Sequence, residues 1–281
     1  MTDAQAFAQL HKLTPAEAVA YLQRRGQLAL TYGWQDLWEE EHALQFTVSR
    51  LTRLDLMQTL QEKIIASVQG DMGRRDYLRD AREALQEAGW WGAKEVVEPA
   101  TGEILQTKFD ASRLNLIFDV NTRQANAAGL WERMQRTKRT HPYARYITKN
   151  DERVREAHRA WHNVTLPIDH PFWLTHWCPN GYRCRCRIVA VSQAEYDRGV
   201  TPTGEPMVKA APEIVWRDWQ NRRTGETIKV PVGIDPGFAY NAGIAGQRAA
   251  TMQVRVNERL SSAPPGLADA ARRAGFGNQP G

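Results

Sequence analysis

The stretch that decides the fold runs from residue 151 to residue 188 and reads DERVREAHRAWHNVTLPIDHPFWLTHWCPNGYRCRCRI. It contains all three cysteines of the protein and four of its seven histidines: Cys178, Cys184, Cys186, His158, His162, His170 and His176. The pattern predicts a helix, then a loop rich in Pro, Asn and Gly, then a strand. A chain that folds back in this order brings several thiol and imidazole groups to one point.

The residue types in this stretch are those that bind zinc. The predicted strand, Arg183–Val191, alternates so that Cys184 and Cys186 lie on one face. His158 and His162 are four residues apart and share a face of the predicted helix. Zinc takes four such ligands in a tetrahedron. More than four candidates are present: His158, His162, His176, Cys178, Cys184 and Cys186. A structural zinc site is therefore one hypothesis.

The same residues also have a simpler interpretation. Free cysteines are often small buried hydrophobes, and the histidines would then be ordinary hydrogen-bonding groups. The spacing matches no zinc-finger pattern. A disulfide between Cys184 and Cys186 would be strained on one strand. The sequence alone leaves the zinc hypothesis and this interpretation both open.

Enzymatic motifs find little support. His158 and His162 have the spacing of a helix-borne zinc protease motif, but Arg159 stands where that motif has its glutamate base. Cys184 and His158 form a nucleophile–base pair only if the fold brings them together. The sequence contains neither a phosphate-binding P-loop nor a glycine-rich dinucleotide fingerprint. We therefore expect the protein not to be an enzyme.

Composition indicates a globular protein with an uneven charge. The 281 residues carry a net charge of +5, but residues 1–115 hold 13 basic against 17 acidic groups, and residues 116–281 hold 24 against 15. A basic half suits proximity to nucleic acid, although a solvated surface explains it equally well. No apolar run reaches the ~20 residues of a membrane span. The first residues lack signal-peptide features, and three cysteines argue against a disulfide framework, so we expect a cytosolic origin.

Apolar periodicity predicts a mainly helical front half. The first predicted helix is capped by Thr14 and ends near Arg25, and the second runs from Trp34 to about Val68. A third helix ends at Gly89, and a fourth runs from about Ser112 to Gln135. Asn121 falls on an apolar face of the last helix, where a buried amide usually bonds to neighbouring backbone. Trp34 and Trp38 are expected to pack in the core rather than to anchor a partner.

The back half is predicted to mix short strands and helices. Strands are expected at Tyr143–Thr148, Val164–Ile168, Arg183–Val191, Ile214–Trp219 and Thr227–Val230, with a cap formed by Asn150, Asp151 and Glu152 before the helix that carries His158. The predicted class is α+β. It comprises a helical region at 1–110, a small mixed core with a Cys-x-Cys strand at 111–191, and an extended arm with a mobile tail (Ser261–Gly281) at 192–281.

Several short motifs carry a family resemblance when taken in chain order: Asn121-Thr122-Arg123, Tyr143 and Tyr146, Asp151, Arg153, Arg155 and His158, Leu166-Pro167, His170-Pro171-Phe172-Trp173, His176, Pro179-Asn180-Gly181, Cys184-Arg185-Cys186-Arg187, and Gly233 through Asn241. With these motifs the chain resembles the phage Mu F-like minor head proteins, also called the phage head morphogenesis family. The likeness covers roughly residues 15–245. Cys178 departs from the family, which more often has proline there, and we do not count it as a family ligand.

The resemblance implies a minor capsid protein that acts in procapsid assembly and DNA packaging. Such a protein is associated with the portal inside the head and present in the host cytoplasm during assembly. The implied partners are the portal protein and a major capsid or scaffolding protein, with viral DNA as a further candidate and no membrane. The competing hypotheses are a metal-dependent nucleic-acid-processing enzyme and a nucleic-acid-binding protein that contacts phosphates through Arg136, Lys138, Arg139 and Arg153.

These considerations give a specific set of site residues. The predicted ligands of a structural zinc are His158, His176, Cys184 and Cys186. Structural or binding roles are predicted for Asn121, Arg123, Asp151, Arg153, Arg155 and Arg185. We expect Arg153 and Arg155 to bond to local carboxylates or carbonyls rather than to phosphates. No catalytic residue is predicted.

Overall fold

A computed structural model describes residues 15–273, and within that range the predicted α+β class is confirmed. The helices are α1 (Ala16–Arg24), α2 (Leu54–Gln69), α3 (Arg74–Glu87), α4 (Ala111–Arg136), α5 (Glu156–Ala160), α6 (Phe172–Thr175), α7 (Gln193–Arg198), α8 (Ala242–Ser262) and α9 (Pro265–Arg273). The strands are β1 (Gln27–Leu28), β2 (Gln45–Phe46), β3 (Gly92–Val97), β4 (Ile104–Phe109), β5 (Tyr143–Ile147), β6 (Thr165–Pro167), β7 (Arg187–Val191), β8 (Trp216–Gln220) and β9 (Thr227–Pro231).

Two hydrophobic cores share the long helix α4. Leu114, Phe118 and Ala125 face the first core, which α1, α2, α3 and α8 complete. Trp131 and Met134, further along α4, belong to the second core, which surrounds the β5–β7 sheet and the cysteines. The helix begins with an Asp110 side chain that accepts a hydrogen bond from the Arg113 N–H, a standard N-cap. The 26-residue helix α4 is therefore the element that joins the two cores.

Close helix crossings explain two glycines of the shared region. A Cβ added at Gly129 on α4 would lie 2.9 Å from the backbone nitrogen of Ala18 on α1. One added at Gly243 on α8 would lie 2.3 Å from the Cβ of Trp131. Only a residue without a side chain lets these helices approach so closely. Helix α8, which lies near the end of the sequence, therefore packs against α4, which lies in the middle of the sequence.

The second core is built on a three-stranded antiparallel sheet in the order β6-β5-β7. Tyr143 pairs with Pro167 on one side and with Val191 on the other. The central strand β5 places Tyr146 in the core, where its ring meets Trp161 edge to face. Hairpins β3–β4 and β8–β9 are separate two-stranded units, and residues 98–103 form the tip of the first of them.

One predicted helix is wrong. Residues 34–68 were expected to be helical throughout, but α2 begins only at Leu54. Before it the chain forms 3₁₀ turns at Trp34–Asp36 and Glu39–Ala43 and then the short strand β2. Arg50 adopts a positive φ of 62°, which breaks helical geometry. The predicted apolar stripe is correct within α2, where Met57, Leu60 and Ile64 are buried.

The Cys-x-Cys strand is also misplaced in the prediction. Strand β7 begins at Arg187, so Cys184 and Cys186 lie in the loop that leads into it. Arg183 has a φ of 60°, which interrupts the extended backbone. Helix α5 likewise begins later than predicted, because Asp151 closes a turn with the Arg153 N–H and the N-cap residue is Arg155. Asn163, shortly after this helix, has a left-handed backbone with a φ of 61°.

The last part of the chain is more regular than the predicted arm and tail. The strands predicted at Ile214–Trp219 and Thr227–Val230 are confirmed as the β8–β9 hairpin, and helix α8 follows at Ala242–Ser262. Within the tail expected to be mobile, α8 continues to Ser262 and Pro265–Arg273 forms α9. Residues 274–281 lie outside the described range, as does the predicted cap Thr14. None of the helices in residues 15–273 is long and apolar enough to cross a membrane.

Candidate metal centre

His158, Cys184 and Cys186 meet in the second core. The Nδ1 atom of His158 lies 3.4 Å from the Cys186 sulfur and 3.9 Å from the Cys184 sulfur. Among residues 15–273 these three are the one group whose His, Cys, Asp or Glu ligand atoms cluster as a metal site requires, all within 4.8 Å of one another. All three side chains are buried, with His158 only 2% exposed. The fold-back predicted from the sequence therefore forms, with a helix on one side and a loop on the other.

A backbone carbonyl fixes the orientation of the His158 ring. The Nε2 atom lies 2.8 Å from the carbonyl oxygen of Gly233, which can only accept a hydrogen bond, so Nε2 carries a proton. The other ring nitrogen, Nδ1, is thereby directed at the two sulfurs. The ring also stacks on Trp161, with centroids 5.0 Å apart. His158 is held from three sides, and its reactive nitrogen faces sulfur.

Cys178 is the third cysteine of the same core. Its side chain is buried in one cluster with Cys184 and Cys186, while its sulfur lies outside the group of three whose ligand atoms are all within 4.8 Å of one another. Asn180, two residues along the loop, is fully buried. The Asn180 side chain in turn accepts a 2.9 Å hydrogen bond from the Tyr146 hydroxyl. The three cysteines and one histidine thus form a single buried polar centre.

The proximity of these groups changes their pKa values. Hydrogen bonds from Cys178 and Cys186 hold the pKa of Cys184 far below its usual range, whereas burial raises the pKa of Cys178 well above it. Burial opposes a charged His158, but its bonds to Cys184 and Cys186 outweigh that effect and raise its pKa to about 9. The centre therefore favours thiolate at Cys184, which is the form of cysteine that binds metals.

The other three histidines of this stretch are occupied elsewhere. The Nδ1 of His176 bonds to the Thr175 hydroxyl at 2.8 Å, and its ring stacks on Phe172. Burial lowers the pKa of His176 to about 4, so the ring is neutral at pH 7. His162 accepts a hydrogen bond from the Thr148 N–H, and His170 accepts one from the Phe172 N–H. Of the four predicted ligands, the structure brings together three, and His176 is not in that group.

The segment Gly233–Asn241 braces the centre from outside. Asp235 accepts a 2.9 Å hydrogen bond from Arg155 and another of 2.9 Å from the Tyr182 N–H. Gly181 has a φ of 156°, and a Cβ there would lie 2.2 Å from an Asp235 carboxylate oxygen. Glycine is therefore required where the cysteine loop meets this segment. The segment ties the loop that precedes Cys184 to the helix that carries His158.

Most of the remaining predicted site residues have partners within the protein. Arg185 makes a bidentate pair with Asp151, at 2.6 and 2.7 Å. Asn121, on α4, bonds to the Ile117 carbonyl as expected and also accepts a hydrogen bond from the buried Arg25. Arg153 contributes its N–H to the Asp151 turn, and Arg123 is half-buried on α4. Arg155, as expected, bonds to a local carboxylate and to the Tyr182 carbonyl.

A cleft with a volume of about 740 Å³ lies apart from the centre, and His158 and the cysteines do not line it. Arginines line it, and two of them have protein partners. Arg50 bonds to the Tyr32 and Gln106 carbonyls, and Arg223 pairs with Glu98 and Asp36.

Sequence reasoning missed the residues that support the centre from a distance. Gly233 and Asp235 were recognised only as part of a family-like motif, yet they contact His158 and Arg155 directly. Asn180 was likewise assigned no role. A Gly followed two residues later by Asp, like the Pro179-Asn180-Gly181 turn, indicates tight backbone geometry, but nothing in the sequence connects residue 233 to residue 158.

The fold and the centre define a class: an α+β protein in which a helix, a cysteine loop and a later extended segment enclose a buried His–Cys cluster. Residues 58–189, which include the cluster, match the family described as Phage Mu protein F like protein. The chain is 37% identical over 184 residues to "Putative capsid assembly protein F" of Escherichia phage Mu, covering 65% of this chain and 42% of that protein. The chain is a Mu F-like protein.

A second relative supports the same assignment. The chain is 30% identical over 225 residues to the Mu-like prophage FluMu F protein of Haemophilus influenzae, covering 77% of this chain and 53% of that protein. The chain therefore spans about half the length of the curated relatives it matches. No solved structure gives a significant match.

Proposed function

We propose that this protein is a minor capsid protein that acts in phage head assembly. The observation that carries the proposal is the similarity to a capsid assembly protein, at 37% identity over 184 residues. The aligned family region contains the whole His–Cys cluster. In this role the protein works inside the procapsid, bound to the portal, and is present before DNA is packaged. In the host cell it is found in the cytoplasm during assembly.

The chemistry of the centre supports a structural rather than a catalytic role. His158 and the three cysteines are all less than a tenth exposed, and the main cleft does not reach them. A nucleophilic cysteine has to meet its substrate, and reactive cysteines lie in partly exposed sites. The same burial suits a group that holds two parts of a fold together. The proposal therefore assigns no reaction to this chain.

Surface aromatic residues offer a means of binding a partner. Trp34, Trp38 and Trp219, hereafter the tryptophan patch, have ring centroids 5.4 to 6.1 Å apart. Trp34 is 39% exposed, so the expectation that it packs in the core is wrong. Indole rings at a surface often anchor protein interfaces. We place the contact with the portal at this patch.

The experiment co-expresses the full chain with the portal protein of its phage and purifies the portal. The proposal expects the chain to co-purify, and Trp34→Ser to reduce the recovered chain at least several-fold. Leu267→Ser, at a residue 63% exposed on α9, is the matched control and leaves recovery unchanged. If the wild-type chain stays unbound, portal association is refuted. If Trp34→Ser binds like the wild type, the patch is refuted as the contact.

A second experiment tests the assembly role itself. Heads are purified from a phage whose copy of this gene is deleted and from the same phage with the gene restored. The proposal expects fewer DNA-filled heads without the gene, and the protein detected by mass spectrometry in heads that have it. Normal numbers of filled heads without the gene would contradict the proposal.

Binding to DNA, the alternative hypothesis, is tested separately. Two of the four predicted phosphate contacts already have partners, since Arg136 pairs with Glu17 and Lys138 with Asp169. The proposal expects weak retention on DNA that Arg139→Ala does not change. Tight binding that weakens steeply as salt rises would favour the nucleic-acid-binding alternative.

A further inference from the structure

We propose that His158, Cys178, Cys184 and Cys186 together bind one Zn²⁺ as a closed structural site. The proposal concerns the fold of this chain and stands whether or not the protein assembles phage heads. It replaces the predicted ligand His176 with Cys178, the cysteine that the family resemblance discounted.

The distances fit a shared tetrahedral ion. With Zn–S bonds near ~2.3 Å and Zn–N bonds near ~2.0 Å, a sulfur and a nitrogen on one zinc are about 3.6 Å apart. The two sulfur–Nδ1 distances at His158 are 3.4 and 3.9 Å and lie on either side of that value. Both sulfurs are therefore placed around His158 as ligands of one ion would be.

The surroundings match those of a bound metal. Histidines that bind a metal usually donate their second N–H to a carbonyl or carboxylate, which orients the ring. His158 makes that bond to the Gly233 carbonyl at 2.8 Å. Asn180, two residues after Cys178, is fully buried and accepts a hydrogen bond from the Tyr146 hydroxyl, which fixes the loop that leads to Cys184.

Cys178 is the fourth ligand because of where its thiol lies. It is the remaining cysteine of the buried cluster that holds Cys184 and Cys186, whereas His176 uses its Nδ1 on the Thr175 hydroxyl and its ring on Phe172. Structural zinc sites are closed by four protein ligands, and catalytic ones keep a position for water. Since Cys178 is only 6% exposed and Cys186 8%, the site is closed.

The alternative is that the four groups only hydrogen-bond to one another. The three thiols and the imidazole are then buried without a metal between them, since free cysteines are often buried in protein cores. The two interpretations differ in one measurable property, which is whether the folded chain takes up metal with thiolate ligands.

The first experiment measures metal in the full chain. The protein is expressed with added zinc, dialysed and analysed by mass spectrometry for zinc per chain, and the zinc is then exchanged for cobalt. The proposal expects one zinc per chain and a cobalt spectrum with tetrahedral visible bands and thiolate charge-transfer absorption of three-sulfur intensity. Folded protein that takes up neither metal would overturn the proposal. A two-sulfur intensity would exclude Cys178.

The second experiment compares variants at the two competing positions. Cys178→Ser should lower the charge-transfer intensity by about a third, because one thiolate of three is lost, and should weaken zinc retention. His176→Asn should retain one zinc and the full spectrum, as should the control His162→Asn. Loss of metal in His176→Asn with an unchanged Cys178→Ser spectrum would overturn the assignment of Cys178. If Cys178→Ser does not fold, the wild-type cobalt intensity still decides the number of thiolates.

Discussion

The two cores of this protein are stabilised in different ways. The first core, built from α1 to α4 and α8, consists of apolar side chains such as Met57, Leu60 and Tyr77. The second contains a polar centre, with His158 and three cysteines enclosed by tryptophans. Apolar packing is non-directional and tolerates exchange of one hydrophobic residue for another. A buried polar centre is stable only when every group has its partner. The second core should therefore be the more sensitive to single substitutions.

The substitution His158→Ala is the strongest test of this difference between the two cores. The substitution removes the bond to the Gly233 carbonyl, the contacts with two sulfurs and, under the zinc proposal, a ligand. We expect a loss of about 5 kcal/mol or more, since metal binding to a structural site is coupled to folding. Urea unfolding measures the loss. Near-UV circular dichroism should fall strongly, because Trp131, Trp161, Trp173 and Trp177 all lie in the second core.

The exposed His141 provides the control for this prediction. His141→Ala should stay within about 0.5 kcal/mol of the wild type, as surface substitutions usually do. A cost below about 1 kcal/mol for His158→Ala would mean that the centre contributes little to the stability of the second core.

A cavity in the first core should cost less and leave the centre intact. Leu60 is 1% exposed on α2, and Leu60→Ala should cost about 2–5 kcal/mol through lost burial and the space left behind. Leu54, on the same helix and 45% exposed, is the matched control, and Leu54→Ala should cost far less. Urea unfolding compares the two. If Leu60→Ala keeps the zinc content of the wild type, the two cores are stabilised independently. Loss of zinc would show that they are not independent.

The segment Gly233–Asn241, which braces the centre, should contribute a smaller part of the free energy of unfolding. Asp235→Asn removes the charge that pairs with Arg155 and weakens the bond from the Tyr182 N–H. We expect a cost of about 1–2 kcal/mol, because charge-assisted bonds exceed neutral ones. Asp218→Asn is the control, since Asp218 pairs with Lys229 on an exposed hairpin and such pairs contribute roughly 0–1 kcal/mol. Equal midpoints of thermal unfolding for the two variants would contradict the bracing role.

The smallest effect concerns pH. The hydrogen bond from Arg185 lowers the pKa of the Asp151 carboxyl, and desolvation opposes this effect. The Arg153 N–H and the charges of both arginines lower the pKa further. A lowered pKa stabilises the fold above the ordinary value of 3.8 and loses that contribution as pH falls through the lower, folded-state pKa. Asp151→Asn should therefore be less stable than the wild type at neutral pH, and the difference should shrink in acid. Urea midpoints measured across that pH range check this, and a difference that grows in acid would be the wrong sign.

Much of the first core could be predicted from the sequence because its signals are local. Apolar residues three or four apart in α2 and α4, and glycine after α3, indicate helices through interactions within one turn. The error at Trp34–Val68 arose because the same apolar spacing continues through residues that form 3₁₀ turns and a strand. There the positive φ of Arg50 and pairing with β1 decide the conformation, and neither is a local signal.

The amino-acid sequence by itself determined the α+β class, most of the helices, the family resemblance and the meeting of His158 with the Cys184–Cys186 pair. Only the tertiary structure decided that Cys178 joins that pair, that His176 turns to Thr175, and that the Gly233 carbonyl orients His158 across 75 positions of chain. The physical reason is the range of the interactions. Helix periodicity acts over a few residues, whereas a buried polar centre draws its partners from whichever segments the whole fold brings together.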